Sequence, residues 1–344
     1  MRIIVDAMGG DNAPQALVEG AVMAAEEFGV EIILTGRGEK ILKCLETLGK
    51  KELPKGIEIA HASEVVEMED DPATVTRVKK DSSMTVGLRM LKDGGAEAMV
   101  SAGSTGALLS GATLIVKRIK GIRRAALAPM LPNNGKGVLL VDCGANVEST
   151  PEYLLQFAYM GSYYVENMCG IPEPRIGLLN VGTEETKGRP LQRETFELLR
   201  KAAGEGRINF IGNVEARGIL LGDCDVAVCD GFSGNILLKG IEGVAKFTGI
   251  ELREVFNKNS RTKLAALLVK DGIKKIKQKL DSSEVGGTAL LGISKPIIKA
   301  HGSSDAYAIR SAICQAINNV SSGVTADIQD NIEYMKIDSS ADAE

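Results

Sequence analysis

The 344 residues, 44% hydrophobic and 25% charged, have the composition of a globular enzyme with a substantial core, built as one large α/β unit or as two lobes. A net charge of -4, an aromatic content of 4% and the absence of Trp argue against a base-stacking nucleic-acid surface and against a global pull toward polyanions. No apolar run reaches the length of a membrane span, and 6 scattered Cys with 2 His leave no zinc spacing, so a reducing cytoplasm and no structural metal are expected.

The chain opens on an apolar strand, Arg2–Ala7, without a secretory apolar segment behind a basic flank. The strand stops at Met8-Gly9-Gly10-Asp11-Asn12-Ala13-Pro14, and a helix is predicted next, with Asp11 or Asn12 as its cap and Pro14 in its first turn. Val30–Thr35 and Ile57–Ala60 read as strands, with a helix between them that ends near Leu48. The acidic run Glu67–Asp71 reads as a solvated loop, and Ser82–Lys92 as a helix broken by Gly94-Gly95. Ala96–Ser101 is a strand entering the turn Ala102-Gly103-Ser104-Thr105-Gly106, where glycines permit a close bend and the N–H groups of the helix starting at Thr105 suit an anion. That helix ends near Lys117 in a basic cluster: Lys117, Arg118, Lys120, Arg123 and Arg124.

Ala125–Met130 and Gly137–Asp142 look like strands around a Pro132–Gly135 turn, and this density of strand suggests a second lobe or an inserted arm. Cys143-Gly144-Ala145-Asn146 leads to a helix from Pro151. Strands follow at Arg175–Leu179, Ile208–Ile211 and Asp225–Cys229, the first entering Asn180–Lys187 and the last entering Asp230–Asn235 ahead of a long helix. Arg261–Leu280 sets Leu264, Leu267, Leu268, Ile273 and Ile276 at helical spacing, with lysines on the other face. Gly286–Gly292 and Pro296–Lys299 add short strands, and the turn His301-Gly302-Ser303-Ser304 precedes the last regular helix. The polar chain beyond about Ser321 is expected to fray, with 331–344 a polar tail behind a catalytic unit spanning 1–330.

Strands alternating with amphipathic helices predict a mostly parallel sheet flanked by helices, in which loops at the carboxyl ends of strands line a crevice. Met8–Pro14, Ser101–Gly106, Asp142–Asn146, Asn180–Lys187, Asp230–Asn235 and His301–Ser304 all hold that position. None follows GxGxxG, GxxxxGK[ST] or GxSxG. They offer backbone N–H donors with hydroxyls, and Lys187 and Lys239 could supply positive charge, a combination suited to phosphate. Each feature has a plain structural alternative: tight turns for the glycines, caps or braces for Asp6, Asp142, Asp230, Asn12, Asn146, Asn180 and Asn235. His301 is a candidate for phosphate contact or proton transfer. His61 reads as surface, and Cys143 has no neighbouring base to activate it.

MGGDNAP, SAGSTGAL, VDCGANVE, LLNVGTEETKG, VCDGFSGN, GGTALLG and KAHGSS, in this order from Arg2 to about Ala316, resemble the bacterial phosphate acyltransferases of phospholipid synthesis. The resemblance implies an isocitrate/isopropylmalate dehydrogenase-like fold, shared with phosphotransacetylases, carrying a dimerisation lobe or arm. It implies a homodimer attached peripherally to the inner membrane face and no cofactor. The reaction would be acyl-[acyl carrier protein] plus orthophosphate giving acyl phosphate and free carrier protein, with the product passed to a glycerol-3-phosphate acyltransferase. On this reading Gly9, Gly10, Asp11, Asn12, Ser101, Ser104 and Thr105 hold phosphate with Lys187 and His301. Asn180, Asp230 and Asn235 orient the reactants, helped by Asp6, Asp142 and Asn146. The Lys117–Arg124 cluster would dock an acidic carrier protein. The 261–280 segment would lie on the membrane or, equally, against the dimer partner. A phosphotransacetylase using acyl-CoA is the nearest rival, and a membrane-surface scaffold for a phospho-ligand the non-enzymatic one. A decarboxylating dehydrogenase lacks both a nicotinamide fingerprint and an acidic Mg²⁺ cluster.

Overall fold

The computed structural model describes residues 1–273 and 286–336. Two sheets organise them. The first has seven strands in the order β3-β2-β1-β4-β12-β11-β5: β1 (Arg2–Asp6), β2 (Glu31–Gly36), β3 (Ile57–His61), β4 (Ala98–Ser101), β5 (Ala126–Ala128), β11 (Thr288–Leu291) and β12 (Ile297–Lys299). The second has five in the order β6-β7-β10-β8-β9: β6 (Met130–Leu131), β7 (Val138–Val141), β8 (Arg175–Asn180), β9 (Asn209–Glu215) and β10 (Val226–Val228). Pairing is parallel except for both partners of β11 and for β6 with β7. Continuous apolar runs such as Ile3-Ile4-Val5 and Val138–Val141 are buried on both faces, as parallel strands covered by helices require.

Register places the working ends of the strands level. Asp6 pairs with Ser101, and Ser101 with Lys299, so β1, β4 and β12 end side by side. In the second sheet Val228 pairs with Val141 and Leu178, aligning β10 with β7 and β8. A single buried cluster includes Val5 and Val100 of the first sheet, Val141 and Val228 of the second, and Phe157 and Tyr159 of helix Pro151–Cys169, so both sheets share a core.

Three expectations change and one is refined. The predicted strand Ala125–Met130 divides at Pro129: Ala126–Ala128 joins the first sheet and Met130–Leu131 the second, with the residue that lacks an N–H at the crossing. The first helix, α1 (Gln15–Phe28), has Pro14 at its N-cap and no side-chain cap, because Asn12 is bonded elsewhere. The helix α2 (Thr105–Gly111) continues as a wider turn, Ala112–Val116, so the helical stretch ends near Lys117 as expected but with a different last turn. The chain from Ser321 to Lys336 is ordered into regular turns, and 337–344 of the expected polar tail lie outside the described residues. The ordered part forms Val324–Asp330 and a turn at Ile332–Met335, with Val324, Ile328 and Met335 buried; Gln156 Nε2 donates to Met335 O at 3.2 Å, and the Arg207 guanidinium lies 3.7 Å from the centre of the Tyr334 ring.

The long helix α3 (Gly231–Asn257) leads to α4 (Ser260–Leu268), which buries no side chain. Leu264, Leu267 and Leu268 are 61%, 69% and 82% exposed, while Ile273 is half-buried. Ile276 lies outside the described residues. Among the described residues no helix is long and apolar enough to cross a membrane.

Candidate active site

A cleft of about 900 Å³ opens where the carboxyl ends of the two sheets face each other. One wall is polar: Gly10, Asp11, Ala102, Gly103, Thr105 and the run Lys299–Asp305. The other carries Leu127, Pro129, Met130, Leu131, Cys143, Gly144, Asn235 and Leu238, with Met68 also lining the cleft.

The polar wall is assembled from three turns. Asp6, buried at the end of β1, accepts from the Ser101 hydroxyl at 2.7 Å and from the Met8 N–H at 3.3 Å, and Gly103 N in turn donates to Ser101 Oγ at 3.1 Å. Burial raises the Asp6 carboxyl above its ordinary range; hydrogen bonds from Ser83, Ser101 and Met8 and the charge of Lys299 oppose the rise. The first turn packs directly on the second: a Cβ at Gly9 would stand 2.7 Å from Gly103 N. Gly10 turns at φ +98°, a conformation suited to glycine. The first turn is also tied to the third, since Asp11 N donates to Gly302 O at 2.8 Å and Asn12 Nδ2 to Ser303 O and Ser304 O at 3.0 and 3.1 Å.

His301 lies exposed on the cleft wall. Its Nδ1 accepts from Ser303 N at 3.3 Å and lies 2.9 Å from Ser303 Oγ, so the neutral ring carries its proton on Nε2. Lys299, which sequence reasoning missed, ends β12 buried to 9% exposure and lines the cleft. Its Nζ donates to Ala102 O at 3.4 Å and to Ala300 O. Burial lowers its pKa to about 8, against the attraction of Asp6 and Asp11 and with repulsion from Lys239. The available signal was a lysine closing an apolar strand immediately before the His301 turn.

In the second sheet the acids act as braces. Asp142 accepts from Leu127 N at 2.8 Å, Ala145 N at 3.3 Å, Asn146 N at 2.7 Å and Asn146 Nδ2 at 3.0 Å, which consumes its lone pairs. Burial nevertheless raises its pKa. Asn146 also donates to Ala125 O at 2.8 Å. Asp230 caps α3 through Ser233 N at 2.8 Å and Ser233 Oγ at 2.9 Å, with Arg189 at 3.5 Å. Cys143 is buried, and its thiol is pushed well above the ordinary value by desolvation and then by the charges of Asp142 and Glu242.

The predicted residues therefore separate into three groups. Gly10, Asp11, Thr105, Asn235 and His301 line the cleft. Asp6, Gly9, Asn12, Ser101, Asp142, Asn146 and Asp230 hold its walls, and Ser104 caps α2 through Ala107 N at 3.5 Å. Lys187 and Asn180 do not line the cleft. Lys187 is half-exposed with Glu184 at 4.0 Å, and Asn180 braces its own loop through Lys187 O and Asn213 Oδ1, both at 3.1 Å. The Lys117–Arg124 cluster sits elsewhere. Since β5 runs parallel to β12 through the intervening antiparallel β11, its amino end, and the cluster before it, lie at the sheet edge away from the cleft. There Arg123 pairs with Glu152 at 3.0 Å.

Residues 1–327 match the family described as "Fatty acid synthesis protein". The chain is 49% identical over 334 residues to the phosphate acyltransferase of Caldanaerobacter subterraneus, covering 97% of this chain and 98% of that one. It is 49% identical over 335 residues to that of Bacillus licheniformis, with coverage of 97% and 98%. Its fold is similar to a phosphotransacetylase from Streptococcus pyogenes (TM-score 0.60, 19% identity, 96% of this chain and 94% of that one). It is also similar to a branched-chain phosphotransacylase from Enterococcus faecalis (TM-score 0.56, 15% identity, 93% and 99%). The α/β fold expected from the strand pattern is thus shared with enzymes of this kind, and relatives so similar across almost all of both chains show that this chain belongs to the phosphate acyltransferase family.

Proposed function

We propose that the chain joins orthophosphate to the acyl group of a long-chain acyl-[acyl carrier protein], releasing acyl phosphate and free carrier protein for phospholipid synthesis. The observation that carries this reading is the division of one cleft into a wall of turns, hydroxyls and a lysine facing a wall of Leu127, Met130, Leu131 and Leu238. Phosphate fits the first wall, and a thioester with its apolar chain fits the second. A phosphate oxygen attacks the thioester carbonyl, the C–S bond breaks, and the electron pair leaves on sulfur. An alkyl thiol has a pKa of about 8.5, so the leaving group departs as thiolate without a strong general acid. A protein nucleophile is unnecessary, in keeping with the raised Cys143 thiol. The remaining requirements are alignment of the two reactants and donors for the developing oxyanion, roles we give to Thr105, Asn235 and the Nε2–H of His301.

The carrier protein, a second copy of the chain, the membrane surface and a downstream acyltransferase are the partners of this proposal. Exposed Val244, Phe247, Ile250 and Val255 on α3, with Leu264, Leu267 and Leu268 on α4, supply an apolar surface that suits a bilayer or a second copy. Leu267→Glu, assayed for liposome co-sedimentation at fixed oligomeric state, separates the two; loss of the dimer before loss of lipid binding favours the second copy. The decisive activity test incubates purified protein with phosphate and palmitoyl thioester on carrier protein or on CoA, trapping acyl phosphate as hydroxamate. Product from carrier protein alone or preferentially is expected. Preference for CoA would favour the phosphotransacetylase-like rival, and no product from either donor would sink the proposal.

A further inference from the structure

We propose that Lys299 is the cation that binds the phosphate nucleophile, presenting one ammonium N–H to the cleft where the turns after β1, β4 and β12 meet. This rests on the reading of the cleft as a phosphate acceptor site. Parallel register sets Lys299 beside Ser101, whose other neighbour is Asp6, so the residue stands at the seam of all three strand ends. It is buried, yet it lines the cleft.

The hydrogen-bond inventory points to an anion. An ammonium has three donors. Ala102 O and Ala300 O take two, and no third acceptor for Nζ is present among the described residues. Nor does Lys299 form an ion pair among them. Asp6, the carboxylate at the end of the neighbouring β1, is bonded to Ser101 and Met8. The other lysine lining the cleft, Lys239, is paired with Glu242 at 2.8 Å, and Lys187, outside the cleft, has Glu184 at 4.0 Å. A buried ammonium with an unspent donor is stabilised by a negatively charged acceptor, and a phosphate oxygen flanked by the Gly10 and Gly103 turns is one of the right size and charge.

The first test uses the unaltered protein. Lysines are reductively methylated with and without saturating inorganic phosphate, and modification is mapped by mass spectrometry. Phosphate is expected to protect Lys299 and to leave exposed Lys336 unaffected. Equal labelling of Lys299 in both samples, or protection of Lys239 in its place, overturns the proposal. The second test compares Lys299→Met with Lys299→Arg. The methionine variant is expected to raise the KM for phosphate by at least about tenfold, as expected for loss of a charged hydrogen bond, with the thioester KM unchanged and partial recovery in the arginine variant. An unchanged phosphate KM in a folded variant overturns the assignment, as does an equal rise in both KM values, which would identify Lys299 as a loop brace. Failure of the unaltered protein to form acyl phosphate from any thioester would instead overturn the proposed reaction, while the protection experiment still decides the fate of Lys299.

Discussion

Replacing Gly9 by Ala tests whether close contact between two turns sets the phosphate wall. The added methyl would stand 2.7 Å from Gly103 N, 2.8 Å from Asp6 Oδ2 and 2.9 Å from Gly103 Cα. Ordinary contact near 3.5 Å requires displacements of about 0.6–0.8 Å. Neither neighbour is free to yield, because Asp6 Oδ2 and Gly103 N are both bonded to Ser101 Oγ, at 2.7 and 3.1 Å. The variant is therefore expected to lose about 1–3 kcal/mol, the usual cost of overpacking. At roughly 2 °C per kcal/mol for a large domain, its melting temperature should fall by about 2–6 °C. Separation of the turns should also raise the KM for phosphate while leaving the KM for thioester near its starting value. Gly302→Ala is the control, since its methyl would meet only the Asp11 carboxylate, at an ordinary 3.6–3.9 Å. Thermal melts and phosphate saturation curves measure both effects. A Gly9→Ala protein indistinguishable from the parent in melt and phosphate KM would refute the reasoning.

Three further outcomes are expected. Asp230→Ala removes the acceptor for Ser233 N and Oγ and should cost about 1–2 kcal/mol, read by urea denaturation; a change below about 0.3 kcal/mol would show that the cap carries little stability. Cys143→Ala should retain kcat within a few-fold, since burial holds the thiol protonated, and a loss beyond about a hundredfold would reinstate a covalent route. Lys299 has a folded-state pKa of about 8 against an ordinary 10.5, so between these values the unfolded chain binds more protons and the lysine's contribution to stability rises with pH. Denaturation at pH 8 and pH 10 should show the parent gaining stability relative to Lys299→Met; a constant difference would contradict the lowered pKa.

The strand ends were legible because apolar runs such as Ile3-Ile4-Val5 stop abruptly at glycine-bearing turns. Their division between two sheets was not, because that depends on β12 inserting beside β4 and on the crossing at Pro129, both long-range choices. Residue type marked Asp6, Asp142 and Asp230 as special, yet could not show that each is occupied in bracing a turn or cap. Lys187 is a cation candidate in sequence because it sits in a polar glycine-bearing loop, and the structure sets it outside the cleft lining. A lysine closing a short apolar strand, as Lys299 does, looks like an edge residue until its neighbours are known. The polar look of the last two dozen or so residues likewise concealed Val324, Ile328 and Met335, which are buried by a short helix and turn.

The bonds from Asn12 to Ser303 and Ser304 have a consequence for synthesis. They join positions 291 and 292 residues apart, so the first turn of the cleft leaves the ribosome long before its partner exists. β12, a central strand of the first sheet, arrives equally late, and until it does β4 lacks one of its two neighbours and the β11–β5 pair cannot join β4. A pairing of such separation makes assembly slow relative to local helix formation. The polar wall of the cleft is therefore among the last parts of the molecule to form, and a nascent chain halted before Lys299 has neither the lysine nor the third turn.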